Sequence, residues 1–74
     1  MSARVVKRSL SIAGHRTSVS LEEPFWAELR VLAAARGLSL AGLVGEIDSS
    51  RGEANLSSAI RVHVLQALRG EAGR

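Results

Sequence analysis

The sequence predicts a small α+β domain, mostly helical, with one or two short N-terminal strands followed by three helices. Three observations predict it. Polar and apolar residues alternate over KRSLSI (7–12) and again over HRTSVSL (15–21), the period of a strand with one buried face. An acid–acid–proline signal follows at Glu22, Glu23 and Pro24, which suits the start of a helix. Beyond it the apolar residues recur at helical spacing, interrupted at Gly37 and again between residues 48 and 54.

Taken in order, residues 1–6 read as a flexible basic leader. Strands are expected at about 7–12 and 15–21, with Ala13 and Gly14 as the turn between them. That turn would set Ser11 opposite Arg16, Ser9 opposite Ser18 and Lys7 opposite Ser20. Leu10 would face Thr17, and Ile12 would face His15. Ala-Gly is a weaker turn pair than Asn-Gly. Helices are expected at about 23–36, 39–48 and 55–69, with Gly37 as a stop and Ser39 and Asn55 as caps. The third helix is apolar around most of its circumference, so a second covering surface is expected. Residues 7–70 form the single domain, 71–74 a tail, and no internal repeat is read in the chain.

Composition narrows the function classes. Seventy-four residues allow one domain, and the chain holds no cysteine. Disulfides and thiolate metal sites are thereby excluded, and His15 and His63 have no carboxylate at ligand spacing. A lone core of this size is marginal, so oligomerisation is the expected reinforcement. No apolar run reaches the length of a membrane span, so no membrane role is expected and the cytoplasm is the expected compartment. No serine has a paired base and no glycine run has phosphate-loop spacing, so neither an enzyme nor a bound cofactor or metal is expected. The net charge is +3, and residues 1–21 contain Arg4, Lys7, Arg8 and Arg16 but no acid. Such a basic end faces anions, with nucleic acid the commonest partner.

A two-stranded ribbon fits the DNA major groove, about 12 Å wide, with donors and acceptors on one face and apolar side chains on the other. Arg16, Ser18 and Ser20 are the candidate base-reading residues. An ordinary half-exposed strand with a polar outer face accounts for the alternation equally well.

The stretch RTSVSLEEPFWAELRVLAAARGLSLAGLVGEI (16–47) resembles the ribbon-helix-helix superfamily of DNA-binding proteins, of the Arc and MetJ type. The carrying features are a strand running into a Glu/Pro helix start and a Gly-x-Ser turn into the next helix. KRSLSIAGHRTSVSLE and RGEANLSSAIRVHVL further resemble a compact bacterial subgroup of these domains. The resemblance implies an intertwined homodimer in which one strand from each subunit builds the ribbon, with further copies along the DNA as an extension. It implies a nucleoid-associated transcriptional regulator, expected to be a repressor, bound to double-stranded DNA. Arg16, Ser18 and Ser20 would contact bases. Arg36 and the helix start at Ser39 and Leu40 would contact phosphate, and Lys7 and Arg8 would do so from a flanking strand. Val19, Leu21, Trp26, Leu43, Ile47, Ile60 and Val64 would form the dimer core.

Two departures leave alternatives open. KRSLSI either flanks an intersubunit ribbon or pairs within its own chain and replaces it. A break at DSSRGEAN separates two helices where the family has one longer helix. The competing function is a protein-interaction module, an antitoxin-like dimer that binds a partner protein.

Overall fold

The computed structural model describes residues 4–70. The expected leader therefore lies outside the described residues only at positions 1–3, and the expected tail lies wholly outside them. The described residues form two antiparallel strands, β1 (Val5–Ile12) and β2 (His15–Glu22), then α1 (Glu23–Ala35), α2 (Leu40–Ser50) and α3 (Leu56–Leu68). This is the expected fold class, a two-stranded sheet followed by three helices.

β1 starts earlier than the sequence reading placed it. Val5 pairs with Glu22 and Val6 with Leu21, and the Glu23 amide donates to the Arg4 carbonyl at 2.8 Å. A strand with a paired neighbour stays ordered where an isolated basic segment would fray, so residues 5 and 6 belong to the domain.

The two strands form a hairpin within one chain. β1 and β2 pair with each other, in the register Lys7–Ser20, Ser9–Ser18 and Ser11–Arg16. Ala13 and Gly14 have φ of 52° and 83°, the positive pair that a two-residue type I′ hairpin requires. Glycine takes this conformation freely, whereas alanine is strained in it by about 1–2 kcal/mol. Ala13→Asn is therefore expected to stabilise the domain by about 1 kcal/mol, since asparagine tolerates positive φ. A urea midpoint unchanged or lowered in the variant would contradict this.

The sheet's inner face and three helices enclose one core. Val19, Leu21, Trp26, Leu43, Ile47, Ile60 and Val64 are all buried, together with Ile12, Leu29, Ala33 and Val44. The seven residues assigned above to a dimer core thus pack inside one chain. The reason is that α3 turns back over the core and covers it with Ile60 and Val64. Of the adjacent aromatics, Trp26 is fully buried and Phe25 only partly so, as neighbours on a helix must face different ways.

The helix ends follow local chemistry. Pro24 sits in the first turn of α1, where its missing N–H costs no bond. Gly37, at φ 69°, stops the helix. The Gly37 amide donates to Ala34 at 3.1 Å and the Leu38 amide to Ala33 at 2.8 Å, the paired bonds of a Schellman ending. Ser39 caps α2 by accepting from the Gly42 amide at 2.9 Å, and Asn55 caps α3 by accepting from Ser58 at 2.8 Å. α2 runs to Ser50, two residues beyond its expected end, with the Ser49 and Ser50 hydroxyls donating to the Glu46 carbonyl.

Candidate nucleic-acid interface

Strand alternation divides the hairpin into two chemically distinct faces. The inner face carries Val6, Arg8, Leu10, Ile12, Thr17, Val19 and Leu21, and packs on the helices. The outer face carries Lys7, Ser9, Ser11, Arg16 and Ser18 exposed and Ser20 half-buried. All three expected base-reading residues thus lie on one face, in adjacent cross-strand pairs. No acid precedes Glu22 in the chain, so the outer face between Lys7 and Ser20 is purely cationic and hydroxylic.

The expected phosphate contacts separate. Lys7 is exposed on the outer face. Arg8 is not: as an even-numbered residue of β1 it points inward, with its guanidinium carbon 5.5 Å from the centre of the Trp26 ring. Its Nε is buried without a hydrogen-bond partner among the described residues. Arg8 therefore acts as part of the packing, its charge resting on the negative face of an indole, and its assignment to phosphate is withdrawn. Below it, Trp26 Nε1 donates to the Val6 carbonyl at 2.9 Å, so α1 is pinned to β1 by both ends of one indole.

Arg36 reaches Glu46 at 2.9 Å, with both side chains about half exposed. An exposed pair of this kind contributes little, about 0–1 kcal/mol, so an incoming anion competes with it at low cost. Ser39 and Leu40 form the start of α2 as expected. This helix start opens into a cleft of about 550 Å³ beside the turn end of the hairpin, lined among others by Ser11, Ala13, Ser39 and Ala41. The amides of Leu40 and Ala41 have no intrahelical acceptor at that position. Glu46 and Asp48 also line the cleft and offset part of the helix's positive end.

α3 lies along the far end of β2. The Ser57 hydroxyl donates to the Ser20 carbonyl at 3.0 Å, and Arg61 forks onto Glu22 at 3.0 and 3.2 Å. Arg61 also stands 5.9 Å from the centre of the Phe25 ring. The hydrogen bond from Arg61 holds the Glu22 carboxyl below the ordinary carboxylate value, and the backbone bond and the Arg61 charge act in the same direction. A carboxyl lowered in the folded state stabilises fully above its unfolded pKa and loses that contribution as pH falls through the folded pKa. The difference in melting temperature between the wild type and Glu22→Gln is thus expected to be constant near neutrality. It should vanish in acid, below the ordinary 4.5 of the carboxyl. A difference that persists at full size in acid would show that the ion pair is not its source.

Lys7, Ser9 and Ser11 share this face with Arg16, Ser18 and Ser20, in the register expected from the sequence; what sequence reasoning overlooked is the repeated spacing behind it. Lys-x-Ser-x-Ser at 7–11 recurs as Arg-x-Ser-x-Ser at 16–20, a short repeat inside a chain read as having none. Among the described residues, no group of three or more His, Cys, Asp or Glu gathers to hold a metal ion, and no helix is long and apolar enough to cross a membrane.

Comparisons with known proteins agree with this geometry. No curated protein matches the chain. The structure is similar to that of an uncharacterized protein from Bordetella pertussis Tohama I, at 39% sequence identity and a TM-score of 0.77. The match covers 95% of this chain and 62% of that one, so this chain spans less than two thirds of the protein it resembles. The ribbon-helix-helix domain family matches residues 5–68, from the first paired residue of β1 to the last of α3. With strand, helix, Gly-x-Ser turn and helix in the order described, the chain belongs to the ribbon-helix-helix domain family.

Proposed function

We propose that this protein is a sequence-specific DNA-binding regulator, acting as a repressor, that lays its hairpin in the major groove. The observation that carries the reading is the outer face of the sheet. It presents Arg16, Ser18 and Ser20 together, backed by an apolar inner face fixed to a closed core. Membership of a family whose domains typically bind DNA as dimers supports it. The polar face supplies base-edge donors and acceptors, with Arg16 suited to guanine O6 and N7. Lys7, Arg36 and the helix start at Ser39 and Leu40 supply affinity and register through phosphate. Nucleoid association follows from that binding.

A homodimer is part of this reading. α3 leaves Val62, Leu65 and Leu68 more than half exposed, a stripe at helical spacing beside Phe25 that a second copy would match with its own. The same stripe favours the second reading, an antitoxin-like module that seats a partner protein on α3.

Selection from random duplexes at near-physiological salt tests the proposal. Enrichment of a defined motif, with affinity falling steeply as salt rises through counterion release, is the expected result. Absence of enrichment, with no binding at low salt, would overturn it in favour of the protein-interaction module.

A further inference from the structure

Among the described residues, five large apolar side chains are more than half exposed, and three of them, Val62, Leu65 and Leu68, lie on α3. They recur at intervals of three, so they form one stripe along the helix. Beside the stripe, α1 and α3 flank a groove of about 350 Å³ lined by Phe25, Arg61, Val62, Val64, Leu65 and Leu68. Four of these, Arg61, Val64, Leu65 and Leu68, stand at i, i+3, i+4 and i+7. That spacing makes the hole into which a facing helix inserts a side chain, and Phe25 of α1 adds a wall to it. α3 therefore presents both parts of a helix contact: projecting apolar side chains and a hole to receive one.

We infer that the occupant of this groove is α3 of a second copy, packed antiparallel about a two-fold axis beside Leu65. The inference rests on the homodimer of the reading above and deepens it by naming a contact apart from the strands. In this packing Leu65 of each copy enters the hole of the other, and Val62 of each meets Leu68 of the other. That is the reciprocal matching an isologous contact requires.

Charge favours a second copy over a protein of different sequence. Hetero-partners are steered and held in register by complementary charge around the contact. The exposed residues about the middle of the stripe, Ser58, Val62, Leu65 and Gln66, carry none. The chain has no acid between Glu53 and Glu71, so α3 offers nothing to a basic partner. Arg61, the cation in the groove, is already forked onto Glu22 at 3.0 and 3.2 Å, which leaves an acidic partner little to gain there. Two copies of α3 bring carbon against carbon at the centre. At the ends, Arg69 of one falls opposite the neutralised Arg61–Glu22 pair of the other. The contact uses none of the residues on the polar outer face of the sheet.

The chain holds no cysteine, so introduced cysteines report the contact directly. Leu65→Cys, Val62→Cys and Leu68→Cys are oxidised beside a control, Ser49→Cys, which is exposed on α2 and outside the groove. Non-reducing electrophoresis reads the covalent dimer, and circular dichroism verifies that each variant is folded. Leu65→Cys is expected to link to itself, and Val62→Cys to Leu68→Cys when the two are mixed. Both should proceed about tenfold or more faster than the control, because the contact raises the local thiol concentration. Leu65→Glu sets two like charges on the axis and should weaken self-association in sedimentation about tenfold or more. Self-linking of Val62→Cys without linking to Leu68→Cys would overturn the antiparallel packing. Linking at the control rate, or Leu65→Glu assembling as the wild type does, would overturn the second copy as occupant. Either failure leaves DNA binding standing, since duplex selection tests that separately, and absence of duplex binding leaves the contact standing.

Discussion

Trp26→Ala is expected to unfold the domain. The ring is fully buried, and truncating a buried tryptophan to alanine costs about 3–5 kcal/mol. A core in a chain of this size supplies little more than about 3–5 kcal/mol in total. Two further interactions are lost with the ring: the 2.9 Å bond from Nε1 to the Val6 carbonyl and the indole face beneath Arg8. The Arg8 guanidinium would then line a cavity with its Nε still unpaired, a situation costlier than the empty volume alone. Far-ultraviolet circular dichroism should show loss of the cooperative transition. Trp26→Phe keeps most of the volume and loses only the donor and part of the ring, so it should fold with a lowered midpoint. A cooperative Trp26→Ala melt within a few degrees of the wild type would refute this account of the core.

Arg16→Ala is expected to leave folding intact and to cost about 1–3 kcal/mol at the preferred DNA site, with relaxed selectivity for guanine. Arg16 is exposed next to the turn and has no packing role to lose. Ser18→Ala should cost less, about 0.5–1.5 kcal/mol, because a neutral hydroxyl bond replaces one to water. Titrations of specific and scrambled duplexes at one salt concentration measure both. Equal losses on the two duplexes would reassign Arg16 from base reading to phosphate.

The hairpin register, the α1 start at the Glu-Glu-Pro signal, the Gly37 stop and the caps at Ser39 and Asn55 were legible because each is decided by neighbours in sequence. Alternation, a missing amide, a positive φ and a side chain that reaches three residues along the chain act over one or two turns. The polar outer side of β2 was legible for the same reason. Lys7, Ser9 and Ser11 were harder to assign, since their value depends on which strand lies beside them. Arg8 shows how weak charge is as a guide to position. Its basic side chain suggested phosphate, and its even place in the alternation sent it to the tryptophan.

What the sequence determined by itself is the order and kind of elements, and with them the polar and apolar faces of each strand. These follow from periods of two and 3.6 residues and from capping chemistry that no distant contact has to supply. Only the tertiary structure decided that α3 closes the core within one chain and occupies the edge of β2 at Ser20. Those outcomes depend on contacts between residues 37 and 39 positions apart, at Ser20–Ser57 and Glu22–Arg61. A local pattern cannot choose among partners, because an apolar face records that it is covered and says nothing of which segment covers it.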